Sequence, residues 1–354
     1  MMNTGPSLLL LAVLCAPAQD IASKMDEYIQ ASSKARGFMG AALVARGGKV
    51  LLDKGYGSAS IELNVPNTPA NKFRLGSITK QFTAAAVMQL QEKGKLNVTD
   101  QACKYIDNCP EAWKPVTIHQ LLSHTSGIPS YTDTPAFATP KVMRIPLSPM
   151  EVVMLTKDKP LVFQPGGKFA YDNTGYILLG IIIEKVTGQS YADYLQEHIF
   201  GPLGMKDSGY DQTRTILPGR AAGYDRTGNL FRNADYIDMS LPYAAGSLYS
   251  TTGDLYRWDR ALYTDKVVSR KSYEAMTTPV KSNYGYGLML APAVKHKHVG
   301  HGGGINGFST CIDRFPDDDA VVIVLANVVQ ANACRISNGL AEILFAGTAD
   351  PPRD

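Results

Sequence analysis

Strand-like segments lie near both ends of this chain, and helix-like segments fill its middle. Residues 39–45 and 49–52 are largely apolar and flank Arg46-Gly47-Gly48, which is the pattern of a β-hairpin. Strand patterns return at residues 284–290, 307–312 and 320–325. This order predicts an α/β (α+β) fold, in which one antiparallel sheet built from both chain ends is flanked by helices and interrupted by an inserted, mainly helical region.

The middle of the chain carries helical patterns separated by loops rich in proline and glycine. The clearest runs from Ser77 to Lys93, where an apolar face precedes Gly94, a residue typical of the position after a helix C-terminus. Further helices are predicted at residues 21–33, 117–122, 176–187, 191–199 and 333–345. No repeat or low-complexity linker divides residues 19–354, so they are predicted to form a single domain. Its sheet region is placed at about 19–75 and 280–354, and its helical region at about 76–279.

Residues 1–18 have the pattern of a secretory signal peptide. An apolar run from Leu8 to Ala16 overlaps Ala16-Pro17-Ala18, which has the small-x-small form of a signal-peptidase site, although the segment before the run lacks Lys and Arg. The run is too short to span a membrane, which takes about twenty apolar residues. We therefore expect the protein to be exported, to the periplasm or the extracellular space, with no other association with a membrane.

Removal of this leader leaves an even number of cysteines: Cys103, Cys109, Cys311 and Cys334. An oxidising compartment favours disulfides among them. Cys103 and Cys109 are close enough in sequence for a local bridge, which is the pairing we favour. Cys311 and Cys334 would have to meet through the fold, so a second bridge and buried free thiols both stay open.

The composition excludes several partners. Hydrophobic residues make up 45% of the chain and charged residues 19%, which is ordinary for a globular protein. The formal net charge is +3 and the chain has no long Lys/Arg run, so neither nucleic acid nor an anionic membrane surface is an expected partner. We expect a small-molecule or peptide substrate instead.

The first candidate catalytic element is Ser77-Ile78-Thr79-Lys80, an S-x-x-K tetrad at the start of a predicted helix. Residues three apart on a helix lie on one face, so the Lys80 amine can reach the Ser77 hydroxyl. A buried lysine loses its proton more readily and can then accept the proton of the serine. The tetrad alone is a weak signal, because a capping serine beside a surface lysine has the same spacing.

The second element is Tyr171-Asp172-Asn173, the only Tyr-x-Asn in the chain, in the loop before a predicted helix. A phenol held beside a lysine is expected to have a lowered pKa, and it can carry a proton between a serine and a leaving group. An ordinary turn with a packed tyrosine is the alternative interpretation.

The third element is the glycine-rich segment Gly300–Phe308, which enters a predicted strand. Glycines allow a substrate to lie against the strand edge, where a backbone N–H can donate to an oxyanion. His296, His298 and His301 are a minor hypothesis for a metal site, because no carboxylate or cysteine stands nearby at ligand spacing. We predict no metal and no cofactor.

These three elements, in this order, resemble the penicillin-recognising serine hydrolases, a family of class C β-lactamases, serine D-alanyl-D-alanine carboxypeptidases and β-lactamase-like carboxylesterases. Similar landmarks occur at residues 121–129, 165–180, 202–205 and 245–250. The resemblance covers nearly the whole mature chain. It implies a β-lactamase/transpeptidase-like fold and a serine hydrolase that acts through an acyl-enzyme, with its site between the sheet region and the helical region.

The resemblance also implies a role for each residue. Ser77 would attack a carbonyl, and Lys80 and Tyr171 would share its proton. The implied substrate-binding residues are Asn173, His301, Gly303 and Gly304. Among these, Asn173 would hydrogen-bond both Lys80 and the substrate, and His301 would take the place of the family's strand lysine. The backbone N–H groups of Ser77 and Gly304 would form the oxyanion hole.

One departure from the family bears on the substrate. Penicillin-binding members usually have a threonine at the position of Gly302, where its hydroxyl helps to hold a carboxylate. We therefore expect short neutral esters to be cleaved more readily than β-lactams, and Gly302→Thr to favour β-lactams. A D-alanyl peptide remains a further candidate substrate. From another functional class, the alternative is a non-catalytic penicillin- or peptide-binding relative.

Overall fold

The computed structural model describes residues 16–137 and 139–350. The predicted signal peptide, residues 1–18, lies outside them except for its last three positions, which begin the first helix. Within the described part of the chain, no helix combines the length and apolarity needed to cross a membrane.

Short and long strands occur on both sides of a helical middle. The strands are β1 (Gly40–Arg46), β2 (Lys49–Tyr56), β3 (Ser58–Ser60), β4 (Val65–Pro66), β5 (Phe73–Arg74), β6 (Gly209–Tyr210), β7 (Tyr224–Thr227), β8 (Leu230–Asn233), β9 (Leu248–Ser250), β10 (Val299–Ile305), β11 (Phe308–Phe315) and β12 (Ala320–Ala326). The main sheet is antiparallel, with five strands in the order β10-β11-β12-β1-β2. The predicted sheet from both chain ends is therefore confirmed.

Most helices fall between the two groups of main-sheet strands. They are α1 (Ala16–Arg36), α2 (Thr79–Glu92), α3 (Ile118–Leu122), α4 (Pro140–Met143), α5 (Pro149–Met154), α6 (Asn173–Thr187), α7 (Tyr191–Leu195), α8 (Gly201–Leu203), α9 (Tyr243–Gly246), α10 (Thr252–Ala261), α11 (Arg270–Met276) and α12 (Ala333–Ala346). A 3-10 turn, Gly76–Ile78, leads into α2, and a π-helical turn, Gln196–Phe200, follows α7. The predicted helix over 191–199 is thus divided between α7 and that turn.

The sheet is covered on both faces, which explains the composition of its strands. Every residue of β12 is buried, because this strand lies at the centre of the sheet order. Leu43 and Ile323 face the apolar core of the helical region, whereas Val44 and Val322 face the core formed with α1 and α12. The β1–β2 hairpin turns at two glycines with positive φ, as the pattern predicted.

The expected strand over residues 284–290 is wrong. This segment makes only isolated bridges, pairing Tyr284 with Met289 and Met289 with Gly300. Gly287 has a φ of +68° and passes so near α2 that a Cβ would lie 2.5 Å from the Lys80 carbonyl oxygen. The glycine thus lets the chain fold back against the start of α2, where an extended strand would not fit.

Both possible disulfides are present. Cys103 is bonded to Cys109, which confirms the favoured pairing, and Cys311 is bonded to Cys334. The second bridge links β11 to the first turn of α12 and so joins the sheet to the helix that covers it.

Candidate active site

Ser77 lies where the edge of the main sheet meets the start of α2. The residue before it, Gly76, has a φ of +54°, and a Cβ there would lie 2.9 Å from the backbone nitrogen of Gly304. Only glycine allows these two backbones to approach so closely. Ser77 and Gly304 consequently border the same cleft, which has a volume of about 160 Å³.

Lys80 is fully buried and its amine has three partners. Its Nζ lies 3.3 Å from Ser77 Oγ, 2.8 Å from Asn173 Oδ1 and 3.0 Å from the Ala245 carbonyl oxygen. Burial lowers the pKa of Lys80 to about 7, although the negative charge of Asp172 acts in the opposite direction. The amine can therefore gain and lose a proton near neutral pH.

Asn173 is held in place by the start of α6. The Asp172 side chain caps this helix by accepting a hydrogen bond from the Gly175 N–H at 2.5 Å. The backbone N–H of Asn173 donates to Ser130 Oγ at 3.0 Å, and its side-chain amide lies 3.3 Å from Thr132 Oγ1. These contacts direct Asn173 Oδ1 towards Lys80.

Tyr171 packs beside Lys80 with its hydroxyl buried and without a hydrogen-bond partner of good geometry among the described residues. Burial raises the pKa of this phenol well above its usual range, against a lowering by the Ser77 hydroxyl. The expected lowered pKa is therefore wrong. The physical reason is that burial removes the water that would stabilise a charged phenolate, and the nearby charge of Asp172 acts in the same direction. Lys80 Nζ lies over the face of the Tyr171 ring, 4.7 Å from its centroid.

The outer edge of β10 presents backbone groups to the cleft. Gly300 exchanges backbone hydrogen bonds with Met289, on the side away from β11. In an antiparallel strand, the backbone N–H and C=O groups of successive residues point to alternate edges. Gly304 is four positions after Gly300, so its N–H and C=O point to the same outer edge. Gly304 lines the cleft, in agreement with its expected position, and the N–H is available to an oxyanion.

His301 and Gly303 lie outside the cleft lining. His301 is 2% exposed and contacts the Tyr284 hydroxyl through Nε2 at 3.0 Å and the Gly302 carbonyl oxygen through Nδ1 at 2.5 Å. Burial, together with the nearby charge of Lys80, lowers the pKa of His301 to about 3, so the ring is neutral. Gly303 packs against the backbone of Leu75, where a Cβ would clash with the carbonyl oxygen.

Gly302 points away from the cleft. A Cβ at this position would lie 2.8 Å from Cys334 Sγ, within the Cys311–Cys334 disulfide on the α12 side of the sheet. The expected effect of Gly302→Thr on β-lactams stays a prediction, and a threonine at this position would have to be accommodated against the disulfide.

Several residues that line the cleft belong to none of the sequence motifs described above. These are Tyr131, Thr132, Phe137, Ile237 and Pro242. Ile305 and Asn306 also line the cleft, and they belong to the third sequence element, although no role was assigned to them. The Ala245 carbonyl was also missed, although residues 245–250 stood out as a family landmark. No charged side chain belongs to the described lining of this cleft.

The three histidines near β10 each contact a different residue. His296 Nδ1 lies 2.8 Å from Asp318, and His298 Nε2 lies 2.7 Å from Asp313. His301 contacts Tyr284, as described above. Over residues 16–137 and 139–350, no three His, Cys, Asp or Glu side chains are arranged to hold a metal ion.

Known proteins match this chain over most of its length. The sequence matches the beta-lactamase family over residues 25–346. A penicillin-binding protein of Bacillus subtilis is 34% identical over 339 residues, covering 89% of this chain and 74% of the relative. The solved structure of the octameric penicillin-binding protein homologue from Pyrococcus abyssi has a TM-score of 0.82 and 32% identity, over 92% of this chain and 78% of that chain.

A D-stereospecific amidohydrolase from Streptomyces is also similar, with a TM-score of 0.79 and 26% identity over 93% of this chain and 99% of that chain. The family match thus agrees with the fold, and the S-x-x-K serine lies at a cleft beside the sheet edge. The chain belongs to the beta-lactamase/transpeptidase-like family and is homologous to penicillin-binding proteins.

Proposed function

We propose that this protein is a serine hydrolase in which Ser77 forms an acyl-enzyme with an ester or amide substrate. The observation that carries the proposal is the set of contacts at Lys80. A neutral amine has two N–H donors and one lone pair. Asn173 Oδ1 and the Ala245 carbonyl can only accept, so they occupy the two donors and leave the lone pair for the Ser77 hydroxyl.

The reaction follows from these positions. Neutral Lys80 takes the Ser77 proton as Oγ bonds to the substrate carbonyl carbon, and the N–H groups of Ser77 and Gly304 stabilise the oxyanion. The proton then passes to the leaving oxygen or nitrogen, with the Tyr171 hydroxyl as the relay, and the bond to the leaving group breaks. Water attacks the acyl carbon, gives up its proton by the same route, and releases the acid and Ser77.

The lining of the cleft favours an uncharged substrate. It combines aromatic and aliphatic side chains with Thr132, Asn173 and Asn306, and it offers no described cation to a carboxylate. His301 is neutral and points to Tyr284, so it does not compensate. We therefore favour a neutral ester or amide over a β-lactam or a peptide with a free carboxylate.

A substrate panel and a labelling experiment test this proposal. The purified mature protein is given a p-nitrophenyl ester, a D-alanyl-D-alanine peptide and a chromogenic cephalosporin, and is labelled with a fluorophosphonate. We expect the highest kcat/KM for the ester and one label on Ser77. Ser77→Ala should abolish both, whereas Ser60→Ala, at a serine outside the cleft, should change neither. A cephalosporin kcat/KM well above that of the ester would contradict the preference for neutral substrates.

The competing candidate is a non-catalytic penicillin- or peptide-binding protein. It is distinguished by the same experiment, because a folded protein that neither labels nor hydrolyses any substrate would be a binding protein. The hydrogen-bond partners of Lys80 favour an enzyme over a binding protein, because a binding pocket does not need a lysine with a pKa of about 7 beside a serine.

We also propose that the protein is exported. The leader pattern at residues 1–18 and the two disulfides support an oxidising destination. N-terminal sequencing of the protein recovered from a secreting host should begin at Gln19. An uncleaved N-terminus in that host would contradict the assignment.

A further inference from the structure

His124 has no exposed surface and an unusual backbone conformation. It lies between α3 and the loop that precedes α6, with a φ of +55°. Residues other than glycine rarely adopt such a φ, and where one does, the surrounding contacts hold its backbone in that conformation. His124 does not line the cleft, so a direct contact with substrate is not its role.

Two hydrogen bonds connect His124 to the segment that carries Tyr171. The His124 carbonyl oxygen accepts from the Ala170 N–H at 3.0 Å, and ring Nδ1 accepts from the Asp172 N–H at 3.1 Å. The peptide N–H groups on both sides of Tyr171 therefore donate to one residue. The rings of His124 and Tyr171 also pack, with their centroids 4.3 Å apart.

The hydrogen bond at Nδ1 defines the protonation state of His124. An acceptor Nδ1 requires a neutral ring with its proton on Nε2, which is buried without a hydrogen-bond partner among the described residues. The charged or basic groups around it are Asp172, whose carboxylate is 3.8 Å from Nδ1, Lys80 and His301. The phenol rings of Tyr171, Tyr176 and Tyr284 also pack against it. Burial lowers the pKa of His124, so the neutral form persists at neutral pH.

We propose that His124 is a positioning residue that holds the Tyr171 ring against Lys80 and its hydroxyl near Ser77, through hydrogen bonds to the backbone on both sides of Tyr171. This inference rests on the proposed function, because it assigns Tyr171 a part in proton transfer. Holding the N–H groups of Ala170 and Asp172 restrains the backbone before and after Tyr171, and ring packing restrains its side chain. Proton transfer depends steeply on such geometry.

The first test replaces His124 in the mature protein and follows hydrolysis of a p-nitrophenyl ester. His124→Phe keeps an aromatic ring and removes the acceptor. His124→Asn removes the ring but places an acceptor near the position of Nδ1, and asparagine tolerates the left-handed backbone. We expect His124→Phe to lower kcat roughly tenfold to a hundredfold with little change in KM, and His124→Asn to recover most of that loss.

Combination with Tyr171→Phe separates positioning from a general structural role. If His124 acts through the Tyr171 hydroxyl, His124→Phe should lower kcat much less in the Tyr171→Phe background than in the wild type. Losses that multiply in the double variant would overturn the proposal. Equal losses of kcat in folded His124→Phe and His124→Asn would also overturn it, because the acceptor would then be irrelevant.

A measurement on the unaltered protein covers the case in which His124→Phe does not fold. Nitrogen NMR of the histidine rings should show His124 neutral, with its proton on Nε2, at about pH 6.5. A proton on Nδ1 would exclude the hydrogen bond from Asp172 and overturn the proposal. Turnover that survives Ser77→Ala would instead contradict the proposed function, and the NMR result does not depend on that outcome.

Discussion

At the scale of single residues, the chemistry of the cleft depends on burial. Lys80 and Tyr171 are adjacent, yet burial moves their pKa values apart, because it disfavours the charged form of each. Lysine is charged when protonated and tyrosine when deprotonated. Near neutral pH, Lys80 can therefore act as the base, whereas Tyr171 stays a neutral phenol that can relay a proton.

The pH dependence of the reaction should follow Lys80. Its active form in acylation is the neutral amine, so kcat/KM for a neutral ester should rise as pH increases through about 7. Lys80→Arg should lack this activity, because a guanidinium does not lose its proton in this range. Steady-state rates between about pH 5.5 and 9 provide the measurement, and a rate that falls across the same interval would exclude Lys80 as the base.

Tyr171→Phe should separate activity from stability. The change removes the relay, so kcat should fall by roughly 10²- to 10⁴-fold with a small effect on KM. It also removes a buried hydroxyl that lacks a well-formed hydrogen bond, so the Tm should stay constant or rise. Kinetics and thermal denaturation of the same preparation check both parts. A wild-type kcat would show that this tyrosine has only a packing role.

At the scale of elements, strand β10 borders the cleft along one edge and the disulfide beneath α12 on one face. The cleft lies along its outer edge, while Gly302 faces the disulfide beneath α12 and Gly304 has open space around its Cβ position. A side chain would therefore clash at Gly302 but fit at Gly304, although the two positions are only two residues apart. Both Cβ positions point to the same face of the sheet, which is packed at Gly302 and open at Gly304.

A matched pair of alanine variants tests this difference. Gly302→Ala places a methyl group against Cys334 Sγ and should lower the free energy of unfolding by about 1–3 kcal/mol. Gly304→Ala meets no atom within 4 Å and should leave the stability nearly unchanged. Urea denaturation of both variants measures the difference in stability. Equal stability of the two variants would contradict the orientation assigned to Gly302.

At the scale of the whole molecule, the two chain ends are joined by the sheet and by the second disulfide. Strands β1 and β12 pair along seven residues each, and Cys311–Cys334 connects β11 to the helix that covers the sheet. The first disulfide closes only a local loop in the helical region. The two bridges should therefore differ in their contribution to stability.

Removal of each bridge measures that difference. The sequence separations are 6 residues for Cys103–Cys109 and 23 residues for Cys311–Cys334. Loop-closure entropy then predicts that the paired change of Cys311 and Cys334 to serine costs about 1 kcal/mol more than the same change at Cys103 and Cys109. Thermal unfolding of both double variants is the measurement. A larger loss at Cys103 and Cys109 would show that local strain or residual structure outweighs chain entropy.

The order of strand-like and helix-like segments predicted the fold class, and the resemblance to a known family supplied the roles of the candidate residues. The β1–β2 hairpin, α2 and the antiparallel sheet from both chain ends were predictable, because hydrophobic periodicity and turn residues are local properties. The S-x-x-K and Y-x-N patterns, together with that resemblance, pointed to Ser77, Lys80 and Asn173, and the structure brings Lys80 within hydrogen-bond distance of both other residues.

Only the tertiary structure decided which groups face the cleft and what charge they carry. The raised pKa of Tyr171, the neutral His301 turned towards Tyr284, and the contact of Gly302 with the disulfide all depend on residues distant in sequence. The same holds for the Ala245 carbonyl at Lys80 and the His124 contacts at Tyr171. The physical reason is that desolvation and hydrogen-bond geometry arise from long-range packing, which residue type and local spacing do not specify.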